Sequence, residues 1–303
     1  MANTYTNINA EIIVQEVFPA FKAGLAPVNA FSVSFDSETA QKGASIRVPV
    51  ISAKTANTGA FTTYEDGNST VAGTQVSLST HVRSFSHVTD TEAGKTPANT
   101  VIAQRREDAY AVGKSIFQTV IGLFLAADYG DVEGTSKLTV TAANYDADNL
   151  ADAVTYLKKR DALGDISAIH DLDYMGALLK DNAVQNASAL GSAEAIREGA
   201  ISNLVGANIY NSNGFPSALT AENTGVVVCV PSAIALAIRP IAPQDGAMEA
   251  GLEYATATDP DTGLTLGFRS FYNTATGEKW AGFEALMGAD TLQAAGAVRI
   301  VSE

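Results

Sequence analysis

Side chains with strong nucleophilic, redox or metal-binding chemistry are scarce in this sequence. Its 303 residues include one cysteine, three histidines and one tryptophan. A single thiol, Cys229, cannot close an internal disulfide. Its setting in the run Val226-Val227-Val228-Cys229-Val230 reads as a small buried hydrophobe. Basic residues are also few: 19 Lys and Arg stand against 33 Asp and Glu, for a net charge of −14. The excess is spread along the chain, at about −2, −6 and −6 over successive thirds. Tight nucleic-acid binding draws on Lys and Arg that displace counterions, and this balance argues against it. Long apolar runs are absent as well. The longest candidate, residues 116–127, is interrupted by Gln118 and Thr119, short of the roughly 18 residues of a membrane span. The opening Met1-Ala2-Asn3-Thr4-Tyr5 lacks the basic start and apolar core of a signal peptide, so cytoplasmic synthesis is expected.

What is present is apolar bulk. Apolar residues make up 46% of the chain, enough for a core that needs neither disulfide nor metal. Length permits one large domain or two ordinary ones. An acidic wall that repels phosphate is compatible with enclosing a nucleic acid without binding it.

The periodicities fall in a definite order. Residues 1–30 read as an arm: Ile13, Val17 and Phe21 have helical spacing, but Pro19 and Pro27 predict a short, broken helix. Residues 44–89 read as a long hairpin. Ile46, Val48 and Val50 alternate on the outgoing strand, and Val76, Leu78, Val82 and Val88 on the return. Residues 55–73 form its polar tip, with Glu65-Asp66-Gly67 as the turn. Residues 97–128 read as one long helix, capped by Thr96, begun by Pro97 and striped by Ala109, Val112, Ile116, Val120 and Leu123. At 1.5 Å per residue it would span about 48 Å.

Residues 146–240 change character. A helix with Asp146 or Asp148 as cap carries Leu150, Val154 and Leu157, with Lys158, Lys159 and Arg160 in its last turn. A short apolar segment, 166–169, follows, and Asp171 then caps a helix bearing Leu172, Met175 and Leu179. A strand over 226–230 precedes the apolar run 233–238. Residues 252–303 return to strands, with turns at Asp259-Pro260-Asp261-Thr262-Gly263 and Thr276-Gly277. Helices alternating with short strands predict a compact mixed domain.

No constellation of catalytic groups emerges. His81 and His87 lie six residues apart on one strand face, nearly 20 Å, too far to share a metal. His170 stands before Asp171 and Asp173, which capping explains better than zinc. Gly113-Lys114-Ser115 ends like a phosphate-binding loop, yet Asp108 occupies the required earlier glycine and the segment is helical. The carboxylates Asp128, Asp131 and Glu133, and Asp259 and Asp261, read as solvated turns rather than calcium loops.

Three local strings add a resemblance. They are Ala195-Ile196-Arg197-Glu198-Gly199 leading to Asn211-Ser212-Asn213, Val226 to Pro231 with Ser232 to Pro240, and Gly263-Leu264-Thr265-Leu266-Gly267-Phe268-Arg269. With the order arm, hairpin, long helix, mixed domain and returning strands, the chain resembles the major capsid proteins of tailed bacteriophages. The implied fold class is α+β, the Hong Kong 97-like capsid fold. The resemblance implies an N-terminal arm (1–30), an extended hairpin loop (31–89), a peripheral domain with a spine helix at 97–128 (90–145), an axial domain (146–250) and return strands completing the peripheral domain (251–303).

It further implies a structural protein, not an enzyme, without cofactor or metal. Such a chain would assemble with itself, as pentamers and hexamers, into an icosahedral shell around phage double-stranded DNA. Scaffolding, portal and decoration proteins are the implied partners, with no membrane, and the shell would be built in the host cytoplasm. Second to this stands an encapsulin-type bacterial compartment shell, and after it a surface-layer or adhesin structural protein. The expected inter-subunit contacts place the acidic hairpin tip, Glu65 and Asp66, against Arg47, Arg83, Arg105 and Arg106 of a neighbour. Lys42 and Lys54 lie in the hairpin region, and no covalent crosslink is assigned to them.

Overall fold

The computed structural model describes residues 10–35, 45–51, 71–93, 95, 98–162, 164–185, 201–215, 223–247, 251–258 and 265–302. In chain order these form α1 (Ala10–Leu25), β1 (Ser32–Phe35), β2 (Ser45–Ile51), β3 (Val71–Ser77), β4 (Thr80–Thr89), α2 (Asp90–Ala93), α3 (Ala98–Ile121) and α4 (Ala126–Tyr129). They continue with β5 (Lys137–Thr139), α5 (Ala147–Lys159), β6 (Ile166–Asp171), α6 (Leu172–Lys180), α7 (Asn182–Gln185), β7 (Asn203–Leu204), β8 (Ala207–Ser212) and β9 (Thr224–Cys229). The last strands are β10 (Ile234–Arg239), β11 (Glu253–Thr258), β12 (Thr265–Asn273), β13 (Glu278–Thr291) and β14 (Ala297–Val301).

Two six-stranded sheets organise the chain. The first runs β1-β10-β13-β12-β11, with β4 also paired to β13; the second runs β5-β14-β9-β6-β8-β7. The 14-residue β13 is the hub. Its first half pairs with β12, its second half with β10, and Glu278 to Met287 pair with Thr89 to Thr80 of β4. On β13, Ala281, Phe283, Ala285 and Met287 point to the main core, built with α1 and α3. The second sheet is buried on both faces. Val226, Val228 and Val230 meet α5 and α6, whereas Val227 and Cys229 join the main core. Near-continuous apolar strands are what two-sided burial requires.

The sequence expectations need several corrections. Residues 10–25 form one continuous helix through Pro19, not a broken arm. Proline inside a helix costs about 3 kcal/mol. Val14, Val17, Phe21 and Leu25 are fully or almost fully buried against the core, each contributing about 1.5–3 kcal/mol, so packing outweighs the break. The axes of α1 and α3 cross closely. A Cβ on Gly24 would lie 2.7 Å from the Tyr110 carbonyl oxygen, and one on Gly113 would lie 2.6 Å from that of Phe21. Gly113 thus serves helix packing, which disposes of the phosphate-loop resemblance.

The hairpin is shorter than its alternation suggests. β2 pairs with β3 from Ser45 opposite Ser77 to Ile51 opposite Val71, but the return run breaks at Leu78-Ser79. Beyond the break, β4 belongs to the first sheet. The tip, with Glu65 and Asp66, lies outside the described residues, as do Thr96, Pro97, Asp259 and Asp261.

The long helix ends at Ile121, and a separate turn, α4, follows. Its stripe is as expected through Val120, all buried. The chain leaves the helix so that Phe124 stacks on Tyr129, with centroids 5.0 Å apart, and packs on Phe31. The Tyr129 hydroxyl then donates to the Ala233 carbonyl oxygen at 2.8 Å. The apolar run after residue 232, which the sequence left between helix and strand, is strand β10 with both faces covered. In α6 the buried face is Tyr174, Met175 and Leu178, while Leu172 is exposed. Sheet membership also crosses the expected domain limits. β10 lies in the first sheet although it falls within 146–250, and β14 lies in the second although it follows residue 250.

Candidate assembly surface

The first sheet has one face under α1 and α3. The other face is defined by the pairings themselves, because directly opposed residues share a side. Trp280 stands opposite His87 and Phe271; Gly282 opposite Phe85 and Arg269; Glu284 opposite Arg83 and Gly267; Leu286 opposite His81 and Arg239. The root of the β2–β3 hairpin covers the Leu286 end. Val76 and Leu78 pack there with Leu286, Ala235 and Ala237, assisted by Ile46 and Val48. At the other end the rings of His87, Trp280 and Phe271 stand side by side, centroids 4.6 and 6.4 Å apart.

The charges on this face are balanced, unlike those of the chain. Three arginines, Arg83, Arg239 and Arg269, and two histidines share it with Glu278, Glu284 and, at the β10 end, Asp290. Glu284 is only 2% exposed and is held by the Arg269 guanidinium at 2.7 Å and by His81 Nε2 at 3.0 Å. Burial and the Glu284 charge push the nearby Tyr254 hydroxyl up to about 12, so it stays protonated. Glu278 accepts from Trp280 Nε1 at 3.0 Å. Glu278 and Glu284 are therefore engaged within the face. Arg83 remains exposed on it.

A second polar cluster fastens the helix beneath. Asp108 of α3 accepts the Ser84 hydroxyl at 2.9 Å, is also bonded to Ser86, and pairs with Arg105 at 3.2 Å. Arg105 is 5% exposed and donates to the Ala281 carbonyl as well. Burial lowers its pKa, and Asp108 opposes that shift. Within the subunit its guanidinium is enclosed by its own chain, although the sequence suggested a contact to a neighbour. Arg106 is half exposed and pairs with Glu16 of α1 at 3.2 Å. Arg47 is exposed on β2, away from this cluster in the chain. Of the six expected contact residues, then, Arg47 and Arg83 stand open, Arg106 is partly engaged, Arg105 is internal, and Glu65 and Asp66 lie outside the described residues.

Several other polar groups have structural partners. His170 is buried, bonded through Nε2 to the Tyr145 hydroxyl at 2.8 Å, and burial lowers its pKa to about 4. Burial pushes the Cys229 thiol up to about 12. Asp131 pairs with Lys137 at 2.9 Å, and that contact lowers its pKa; Glu133 accepts from the Thr139 amide and hydroxyl. Arg160 donates to the carbonyls of Ala294, Ala297 and Tyr129, tying the end of α5 to the approach to β14. A cavity of about 560 Å³ lies beside α6, lined by Tyr145, Asp146, Asp173, Lys180 and Asp181 among others. Asp146 there caps α5 through the Asn149 amide, and Asp181 accepts from the Ala147 amide. Among the described residues no three His, Cys, Asp or Glu side chains are grouped to hold a metal. No described helix is long and apolar enough to cross a membrane.

Neither a family model nor a curated protein matches the chain. Solved structures do match it. The capsid of cyanophage P-SCSP1u aligns at 15% identity over 90% of this chain and 86% of that one, with a TM-score of 0.57. A structure from Mycobacterium phage Che8 aligns at 18% identity over 86% and 85%, TM-score 0.56. The bacteriophage PhiM1 mature capsid aligns at 14% identity over 89% and 85%, TM-score 0.54. At these identities the likeness is one of fold. The fold is the Hong Kong 97-like capsid fold, α+β in class, and it runs through nearly the whole chain.

Proposed function

We propose that this chain is the major capsid protein of a tailed bacteriophage. It assembles with itself, as pentamers and hexamers, into an icosahedral shell enclosing double-stranded DNA. The observation that carries the reading is the capsid fold shared along about nine-tenths of the chain. The net charge of −14 suits a wall that encloses DNA without gripping it.

In this reading the hairpin tip, Glu65 and Asp66, lies across an adjacent subunit. The exposure of Arg47 and Arg83 supports them as partners for those carboxylates. Each exposed pair adds only about 0–1 kcal/mol, so repeated buried area does most of the holding. Scaffolding, portal and decoration proteins are the partners that such a shell recruits. Deleting residues 54–73 tests the hairpin's part: folded subunits that form no regular shell support it, and shells of normal diameter reject it.

A further inference from the structure

The chain leaves β8 through a turn at Asn213-Gly214, and that turn rests on the long helix α3. The Tyr110 hydroxyl donates to Asn213 Oδ1 at 3.1 Å. The Gly214 amide donates to Ser212 Oγ at 3.0 Å. The rings of Phe117 and Phe215 meet edge to face, with centroids 6.1 Å apart. The turn thereby fastens a strand of the second sheet to a helix of the main core.

The glycine has a packing reason. A Cβ on Gly214 would lie 2.5 Å from Cδ1 of the buried Phe117, so a larger residue would displace the ring. The asparagine has a turn reason, since short polar side chains suit such positions. Together they have a chemical consequence that neither reason requires. A glycine amide has no Cβ beside it and can reach the side-chain carbonyl of the preceding residue. With asparagine in that place, the attack closes a five-membered ring. Asn213 is the only asparagine in the chain that a glycine follows.

The surroundings favour that closure. Attack by the Gly214 nitrogen on Asn213 Cγ puts negative charge on Oδ1, and the Tyr110 hydroxyl already points at that oxygen. A donor aimed where charge develops lowers the barrier. The Gly214 amide hydrogen is held by no strand ladder. It goes to the Ser212 hydroxyl, a group that both accepts and donates and so can relay a proton to water. Asn213 itself is exposed, so water reaches the ring once it forms.

We propose that Asn213-Gly214 is a self-modifying site. The Gly214 nitrogen bonds to Asn213 Cγ, and its proton passes by way of Ser212 and water to the leaving Nδ2. The Cγ–Nδ2 bond breaks and ammonia departs, leaving a succinimide. Water then opens the succinimide at one carbonyl or the other, giving an aspartyl or an isoaspartyl residue. Water is the only co-reactant, and nothing is oxidised or reduced. Either product adds one negative charge. The isoaspartyl form also draws the Cβ of residue 213 into the main chain, and the added methylene displaces Gly214 from Phe117.

The test ages the folded full-length chain at mildly alkaline pH and follows its peptides by mass spectrometry. Protein isoaspartyl methyltransferase marks the isoaspartyl form. The mass gain of an amide becoming an acid is expected at residue 213 ahead of every other asparagine. Tyr110→Phe, shown to be folded by circular dichroism, is expected to slow the gain about tenfold, the effect of one hydrogen bond. In the isoaspartyl fraction the Gly214 amide hydrogen should exchange about tenfold faster than in the unaged chain. Asn213 remaining intact in the folded chain, while the urea-unfolded chain converts, overturns the proposal. Conversion of Tyr110→Phe at the wild-type rate or faster overturns it as well. Whether the chain forms shells does not enter either measurement.

Discussion

The Arg105–Asp108 pair offers the sharpest test of how the long helix is fixed to its sheet. Asp108 is 9% exposed and Arg105 5%. Replacing Asp108 by alanine leaves a guanidinium enclosed without its counter-charge, and Ser84 and Ser86 without their acceptor. Breaking one side of a buried pair costs about 3–5 kcal/mol. Replacing Arg105 by methionine alone leaves the carboxylate, which keeps both serines, and is expected to cost less, about 2–3 kcal/mol. The double variant removes both charges and keeps an apolar side chain of similar length. Its loss should fall below the sum of the single losses by about 2 kcal/mol. Urea unfolding of the dissociated subunit, followed by circular dichroism, gives the three values. Additivity within about 0.5 kcal/mol would refute the claim that the two side chains act as a pair.

Other consequences are simpler. Gly113→Ala places a methyl 2.6 Å from the Phe21 carbonyl oxygen, and overpacking at the α1–α3 crossing should destabilise the subunit by about 1–3 kcal/mol in thermal unfolding. His170 is held neutral, with a folded pKa of about 4 against about 6.5 unfolded. The unfolded chain therefore binds its proton first as pH falls. The stability contributed by this group is intact above pH 6.5 and is lost down to pH 4, by roughly 3 kcal/mol. Unfolding of wild type and His170→Asn across that range should show a shallower slope in the variant; equal slopes would contradict the assignment. Cys229, buried and with its thiol raised to about 12, should resist thiol reagents in the native subunit and react once it is unfolded.

Much of this fold was legible in the sequence, and the failures share a cause. The stripe of α3, the Asp146 cap of α5 and the alternation of β4 are local signals, and each appears where its pattern placed it. The errors arise where distant packing decides. Pro19 read as a break because nothing in the sequence announced that Val14, Val17, Phe21 and Leu25 would be buried against a helix some 90 residues on. The run 233–238 satisfies helix and strand periods alike, and pairing with β1 and β13 settles it as a strand. The return strand looked continuous because alternation passes through Leu78-Ser79 without a turn residue.

The surface was less legible than the core. Arg83 and Arg47 are exposed as a charged strand residue suggests, but Arg105 looked no different from Arg106 and is buried. Only the i, i+3 relation to Asp108, a weak and common signal, hinted at it. Glu284, Arg269 and His81 come from three strands, and no spacing in one dimension could unite them.

The central claim is that this chain closes into a shell, and electron microscopy of the purified full-length protein under assembly conditions tests it most directly. The account predicts closed, regular shells tens of nanometres across, built from one repeated subunit with the two-sheet fold described above. Monomers alone at every concentration, ionic strength and pH tried, with the subunit folded by circular dichroism, would contradict it.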